Sequence, residues 1–351
     1  MKFWLTNKES LEANEGFQPY VDSEWGELDF IASTRAKFTV KGDYVLWDTK
    51  RLEAHLIETI TANGGTILYQ NRFYGYRYAE RGIVAHANNE DVRSALLVDC
   101  MGFSSPIVAA NHAVKLLGYH HLYGRVLKLK REITPVAADN VILSDHPSFF
   151  EVFPKSDGSA HAVLIAPADS IRSTRTLGQD FNFIVEKSHY SDILAPLPGG
   201  DILQGIVPVG VVKSTALNRI LFFGEAGQLH PAASGTCLTR LLLQHKAVAS
   251  AIVGSVRSGV LRARDLDAIT QPLDHFAAKF HKNMFLELLR LSSNRGDAFV
   301  ELLDCLDDSS INAFLFGDLT LTHFLRIKKL LRLLRKRNVV WIRPFLRTLF
   351  S

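Results

Sequence analysis

The chain has 351 residues, 47% of them hydrophobic and 22% charged, which excludes a disordered polypeptide and is long enough for a sizeable core. Its net charge is only +4, and nine Lys or Arg with no Asp or Glu fall between Arg326 and Ser351. The remainder is near neutral, which excludes a nucleic-acid-binding body. The three cysteines, Cys100, Cys237 and Cys305, are far apart and follow no CxxC or Cys/His pattern. No disulfide framework and no metal site is therefore expected, and a reducing cytoplasm is the default. No apolar run reaches transmembrane length, and "MKFWLTNKESLEAN" lacks the apolar core of a signal peptide.

In chain order, the aromatic-rich residues 1–47 predict extended stretches at "LDFIAS" and "KFTVKGDYVLW". Asp48 or Thr49 caps a helix with Leu52, Leu56 and Ile60 on one face, and "NGG" at 63–65 stops it. A strand "TILYQ" is expected next. "GIVAHANNEDVRSALLVDC" reads as a hairpin turning at "NNED", its second arm being the apolar run Ala95–Val98. Residues 122–165 read as antiparallel: "RVLKLKREI" alternates, and "FFEVFPKSDGSAHAVLIAP" turns at Asp157-Gly158. A loop "LAPLPGGD" follows. From Thr236 to Arg257 the spacing of Leu238, Leu241, Leu242, His245, Val248 and Ile252 predicts a helix, and from Leu266 onward the pattern is helical almost throughout.

The segment "ILFFGEAGQLHPAASGTCLTRLL", residues 220–242, carries the chemistry. An apolar strand ends at Gly224, where backbone geometry closed to other residues is available. Glu225 places a carboxylate at the strand end, Pro231 stiffens the turn and Gly235 admits a ligand to the backbone. The helix beyond then aims its N–H groups and positive dipole end at the turn. A polyhydroxylated ligand with an electron-rich ring suits this set. Taken alone, an ordinary strand-turn-helix junction with a chance acid suits it equally.

This segment resembles the second flavin-binding motif of the FAD-dependent oxidoreductases that include lycopene cyclases, geranylgeranyl reductases and p-hydroxybenzoate hydroxylase. Gly224-Glu225-Ala226 stands in place of that family's G-D-A, and Pro231 and Gly235 in place of its P-x-x-G, with one extra residue between them. "LLVDCMGFSSPIV" resembles the D-A-x-G-x-S strand end, with Asp99, Gly102 and Ser104 at its positions. "YVLWDTKRLEAHL" resembles the V-D-R-x-x-L helix start, with Thr49 in place of Arg. "LYGRVLKL", "ILSD" and "FFEVFP" resemble the substrate-domain sheet of lycopene cyclases, and "INAFLFGDLTLTHFLRI" their helical tail. The resemblance implies FAD as cofactor, with Asp99, Gly102, Gly224, Glu225, Ala226, Pro231 and Gly235 around it, and a hydrophobic, isoprenoid small-molecule substrate.

Two departures accompany it. The family's opening βαβ unit, whose GxGxxG cradles the FAD diphosphate, is absent: Gly16, Gly26 and Gly42 are isolated. This predicts an α/β FAD-binding fold of the p-hydroxybenzoate hydroxylase type lacking its first βαβ, and weak FAD retention by this chain alone. An antiparallel substrate-domain sheet and a helical C-terminal region complete it. The expected division is 1–118 and 202–260 for FAD binding, 119–201 for substrate and 261–351 for the helical region. The paired glutamates of the cyclases are also missing: Ala166 and Pro167 stand near their places, and Asp169 is the nearest acid. The alternative reading is a non-catalytic relic of this fold that binds a lipid or a partner.

His230 in the turn serves ligand contact or structure. His120 and His121, adjacent on a strand, point to opposite faces and so do not share a metal. Cys100 and Cys237 read as buried small hydrophobes beside the ligand, and Asp145 as a turn acid. In the tail, Phe324, Ile327, Leu330, Leu331 and Leu334 form an apolar stripe opposite basic residues. Residues 322–350 therefore make either a peripheral membrane contact or a helix packed on the domain.

Overall fold

The computed structural model describes residues 5–102, 105–141, 143, 147–171, 173–270, 275–291, 296–323 and 339–350. Ser104, Asp145 and the tail residues Phe324, Ile327, Leu330, Leu331 and Leu334 lie outside them. β1 (Leu5–Asn7) runs into α1 (Lys8–Glu12), whose first turn is capped by the Asn7 side chain accepting from the Ser10 N–H. β2 (Val21–Ile31) and β3 (Lys37–Trp47) form an antiparallel pair over the two stretches expected to be extended. The Asp48 carboxylate accepts from the Arg51 N–H at 3.1 Å and so starts α2 (Thr49–Ala62) where the cap signal placed it. Its expected apolar face is only partly used. Leu52 is buried, whereas Leu56 and Ile60 are exposed.

"TILYQ" is not a strand: residues 66–70 cross the surface without a ladder partner, with Tyr69 66% exposed and Gln70 at φ +58°. β4 (Phe73–Ala79), β5 (Gly82–Ala87) and β6 (Asp91–Ser94) make an antiparallel meander. The second arm of the expected hairpin is thus Asp91–Ser94, earlier than Ala95–Val98. The apolar run instead supplies β7 (Leu97–Asp99), which leaves the meander for another sheet.

After α3 (Pro106–Ala110) come β8 (Val114–Leu129), β9 (Val136–Val141), β10 (Ser148–Pro154) and β11 (Ser159–Ala168), with Gly158 at φ +78° in the 157–158 turn. α4 (Thr174–Lys187) is followed by β12 (Leu194–Ala195), β13 (Ile202–Val212), β14 (Ala216–Leu217) and β15 (Ile220–Phe222). The helices α5 (Leu238–Ser258), α6 (Ala263–Asp267), α7 (His275–Leu288), α8 (Asp297–Asp304), α9 (Asp308–Phe316) and α10 (Val339–Phe350) complete the described chain.

The large sheet has the order β1-β3-β2-β9-β10-β11-β8, with β12 and β13 both pairing the far edge of β8. The boundary expected at 118/119 falls inside β8, and strands from 5–47 and 202–212 join the sheet expected for 119–201 alone. One face carries Phe150, Val152 and Leu164 against Phe181 and Ile184 of α4. The other carries Phe149 and Phe153 against Phe280, Met284, Phe299, Leu303 and Phe314 of α7, α8 and α9. The period-2 alternation of β10 sends successive side chains to these two layers. β7 and β15 pair in parallel beside β14, forming a separate small sheet.

α10 docks on α7. Asn283 donates to the Thr348 hydroxyl at 3.0 Å, and the buried Glu287 faces Arg343 at 3.5 Å and Arg347 at 3.9 Å. Two of the nine basic tail residues are therefore turned to the domain. Among the described residues no helix is long and apolar enough to cross a membrane.

Candidate functional site

The ends of β7 and β15 lie side by side, with Asp99 opposite Phe222. In open α/β sheets, ligands bind beyond the carboxyl ends of such parallel strands. The Phe223 N–H donates to the Asp99 carbonyl at 2.9 Å and joins the two ends. The buried Asp99 carboxylate accepts from the Met101 N–H at 3.0 Å and from the Ser105 hydroxyl. Ser105 in turn caps α3 by accepting from the Val108 N–H at 3.0 Å. Asp99 therefore shapes the loop that carries Gly102.

Gly102 has φ +60°, and a Cβ added there would lie 2.6 Å from Glu225 Oε2. Two residues more than 100 positions apart, singled out separately in the sequence, are thus in contact. Gly224 has φ +63°, and a Cβ added there would meet nothing nearer than Leu241 Cδ2 at 3.9 Å, so its face is open. Ala226 turns away into a core with Ile83, Ile107 and Phe222. Pro231 is buried, and its carbonyl accepts from the Gly235 N–H at 2.8 Å. Gly235 has φ +72°, and a Cβ added there would lie 3.9 Å from His120 Cδ2. Of the seven expected site residues, Gly224, Glu225 and Gly235 border the cavity described below, while Asp99, Gly102, Ala226 and Pro231 support them from behind.

α5 begins at Leu238, two residues later than the pattern predicted, because Ser234 and Thr236 spend their hydroxyls on the Leu315 carbonyl of α9. Cys237 caps the helix without a side-chain hydrogen bond, which leaves the first-turn N–H groups available. Buried His120, at an ordinary imidazole value of 6.5 when exposed, is pushed down to about 4 by burial and holds the turn by donating its Nε2–H to the Ala232 carbonyl at 2.8 Å. His121, on the opposite face, reaches the Ser170 carbonyl at 3.1 Å. His230 is buried, pushed down to about 4, and bonded to the Pro208 backbone, so it is a structural histidine.

A cavity of about 570 Å³ extends from this turn. Cys100, His120, Gly224, Glu225, Gly235 and Cys237 border one end. Cys100 is exposed rather than buried, and Cys237 is half-buried. The wall away from the turn is apolar, built from Phe149, Phe153, Val163, Phe299 and Leu303, with Glu151 among them. Burial alone pushes the Glu151 carboxyl up to about 8. Sequence reasoning passed over Glu151 and looked for acids one strand away. There Ala166 is buried, and Asp169 sits exposed at the strand end. The missed signal is the spacing itself: in "FFEVFP" the alternation puts Glu151 on the face of Phe149 and Phe153, toward the cavity.

The ring and sugar end of a flavin fits the turn. Gly224 and Gly235 admit it to the backbone, Glu225 offers a carboxylate to hydroxyls, and the uncapped start of α5 faces electron-rich atoms. A diphosphate has no counterpart among the described residues: the strand-to-helix turn at Asn7 has no glycine, and α1 has only five residues.

No family model matches the sequence, and neither does any curated protein. Solved structures do match. A geranylgeranyl bacteriochlorophyll reductase-like protein from Thermoplasma acidophilum is 16% identical, over 96% of this chain and 86% of its own, with a TM-score of 0.59. PqsL, a probable FAD-dependent monooxygenase from Pseudomonas aeruginosa, is 13% identical over 86% of this chain and 89% of its own, with a TM-score of 0.60. A flavoprotein/dehydrogenase from Cytophaga hutchinsonii is 10% identical over 95% of this chain and 79% of its own, with a TM-score of 0.57. At such identities the likeness is one of architecture, and the chain has the fold of the FAD-dependent oxidoreductases that its motifs resemble.

Proposed function

We propose that the protein is a flavin-dependent oxidoreductase whose substrate is an elongated apolar molecule of the isoprenoid class, with the flavin held by its ring end and readily dissociable. The observation that carries this is the single cavity joining the Gly224–Cys237 turn to an apolar wall. When bound, a flavin supplies the redox chemistry, and the protein supplies orientation and exclusion of water. Here Phe149, Phe153, Phe299 and Leu303 exclude water from the substrate. His120, neutral at physiological pH, fixes the turn without adding charge beside the ring. The isoprenoid assignment draws on the resemblance to geranylgeranyl reductases and on the apolar lining of the cavity.

That the described residues offer no counterpart for a diphosphate supports a second reading, in which the cavity holds a lipid and no flavin. Titration of the purified chain with FAD and with riboflavin, followed by flavin fluorescence, separates the two. The proposal expects both to bind weakly and with similar affinity, since the phosphates contribute little, and both to be lost on gel filtration. Binding of neither flavin leaves the lipid reading. Stoichiometric FAD surviving gel filtration would show a diphosphate site beyond the described residues.

A further inference from the structure

Glu151 occupies the middle of β10, with Phe149 and Phe153 two residues away on the same face. All three line the cavity, as does Val163, its ladder partner on β11. Phe299 of α8 closes over Phe149, with ring centroids 5.3 Å apart. Among the described residues, burial alone acts on the Glu151 carboxyl: no hydrogen bond and no neighbouring charge reaches it. Glu151 is half-buried at the cavity wall among apolar side chains, and a polar group so placed is costly unless a partner entering the cavity completes it. The fold itself has no use for it, since every other side chain on that face of β10 is apolar.

The position of Glu151 fixes what it can meet. It opposes Val163, which opposes Gly124 on β8. His120, four residues before Gly124, abuts Gly235 in the turn. Two strand spacings and four residues of rise put Glu151 roughly 16 Å from the turn. The carboxyl, held largely protonated at neutral pH by its apolar surroundings, both donates and accepts a hydrogen bond. Its complement is a neutral oxygen rather than an ammonium group.

We infer that Glu151 is a specificity-determining residue, which hydrogen-bonds the single terminal hydroxyl or carbonyl oxygen of an elongated apolar substrate whose remainder reaches the 224–237 turn. This rests on reading the cavity as the substrate site. A site built to hydrogen-bond one oxygen rejects the analogue lacking it, because its own polar group is then left unpaired.

The test measures binding of geranylgeraniol, the matching hydrocarbon and the matching primary amine to the full chain, by quenching of tryptophan fluorescence and without added flavin. Wild type is expected to prefer the alcohol to the hydrocarbon about tenfold, the worth of one good buried hydrogen bond. Glu151→Gln should keep most of that preference. Glu151→Leu should bind alcohol and hydrocarbon alike, and should melt at a higher temperature than wild type. Equal affinities in wild type, an unchanged preference in Glu151→Leu, a lower melting temperature there, or tighter binding of the amine would each overturn the assignment. Hydrocarbon binding without preference sinks the Glu151 role alone. Binding of none of the probes sinks the substrate reading of the cavity and this role with it.

Discussion

At the scale of single residues, the contact between Gly102 and Glu225 is the most sensitive point of the turn. A Cβ at Gly102 would meet Glu225 Oε2 at 2.6 Å and its Cβ at 3.3 Å. Glu225 can swing its carboxylate aside, so the loss of stability in Gly102→Ala comes mainly from the left-handed backbone, about 1–2 kcal/mol. Gly235→Ala carries similar backbone strain with open space around the new methyl, the nearest atom being His120 Cδ2 at 3.9 Å. Both variants should therefore lose comparable stability in chemical denaturation. Gly102→Ala should also lose several-fold in riboflavin affinity through the displaced carboxylate, and Gly235→Ala through a methyl standing where the ligand approaches the backbone. Riboflavin affinity unchanged from wild type in Gly102→Ala would show that Glu225 does not face the ligand. Gly102 and Gly224 were legible because each follows a strand end, and Gly235 because it precedes a helix; all three have positive φ. Glu151 was harder to see, because an acid inside an apolar strand contradicts the usual rule that charges stay outside, and only its register with Phe149 and Phe153 shows that it points inward.

At the scale of elements, local signals located what local chemistry determines. Asp48 started α2 and Asp157-Gly158 turned the β10–β11 hairpin as expected, since caps and turns are decided within a few residues. "TILYQ" has strand propensity but no neighbour to pair with, so propensity lost to tertiary context. Leu97–Asp99 could not be placed from sequence because its partner is β15, more than 100 residues away. The same holds for α10, whose seat on α7 depends on Glu287 meeting Arg343 and Arg347. Those guanidinium groups are about half exposed, so Glu287→Ala leaves them solvated. The expected loss is about 1–2 kcal/mol, below the range for a fully buried broken pair. Trypsin provides the measurement: cleavage after Arg347 (the Arg343–Pro344 bond resists it) should be faster in Glu287→Ala than in wild type, and equal rates would mean that α10 is held by Phe345 and Thr348 alone.

For the whole molecule, buried ionisable groups set the pH range of stability. Burial pushes His120, His161 and His230 down to about 4 and His281 to about 3. Unfolded, they titrate near 6.5, so between those values the unfolded chain binds more protons and stability falls as the pH drops. Asp139 and Glu151 act in the opposite sense. Burial raises them to about 6 and about 8, so the stability linked to their protons is present below their ordinary range and is lost as the pH rises through those values. The four buried histidines outweigh these two acids and leave a net loss on the acid side, on the order of 3 kcal/mol between pH 6.5 and 5, to which the half-exposed His189 adds in the same sense. Thermal melts should show a plateau from about pH 6.5 to 8 and a clear fall by pH 5. A melting temperature that rises on acidification would mean the histidines are charged in the folded protein.

The parallel pairing of β7 with β15 also has a bearing on biosynthesis. Leu97–Asp99 leaves the ribosome roughly 120 residues before Ile220–Phe222, the strand it pairs with. At the usual pace of translation that interval is about 6–25 s. During it the Asp99 loop has no neighbour to set it, and the wall that the turn will complete stands open on one side. The 224–237 turn therefore forms only after about two-thirds of the chain has emerged, and the wall supplied by α8 and α9 follows later still. A small molecule bound during that interval would act as a template for the final closure rather than as a guest in a finished cavity.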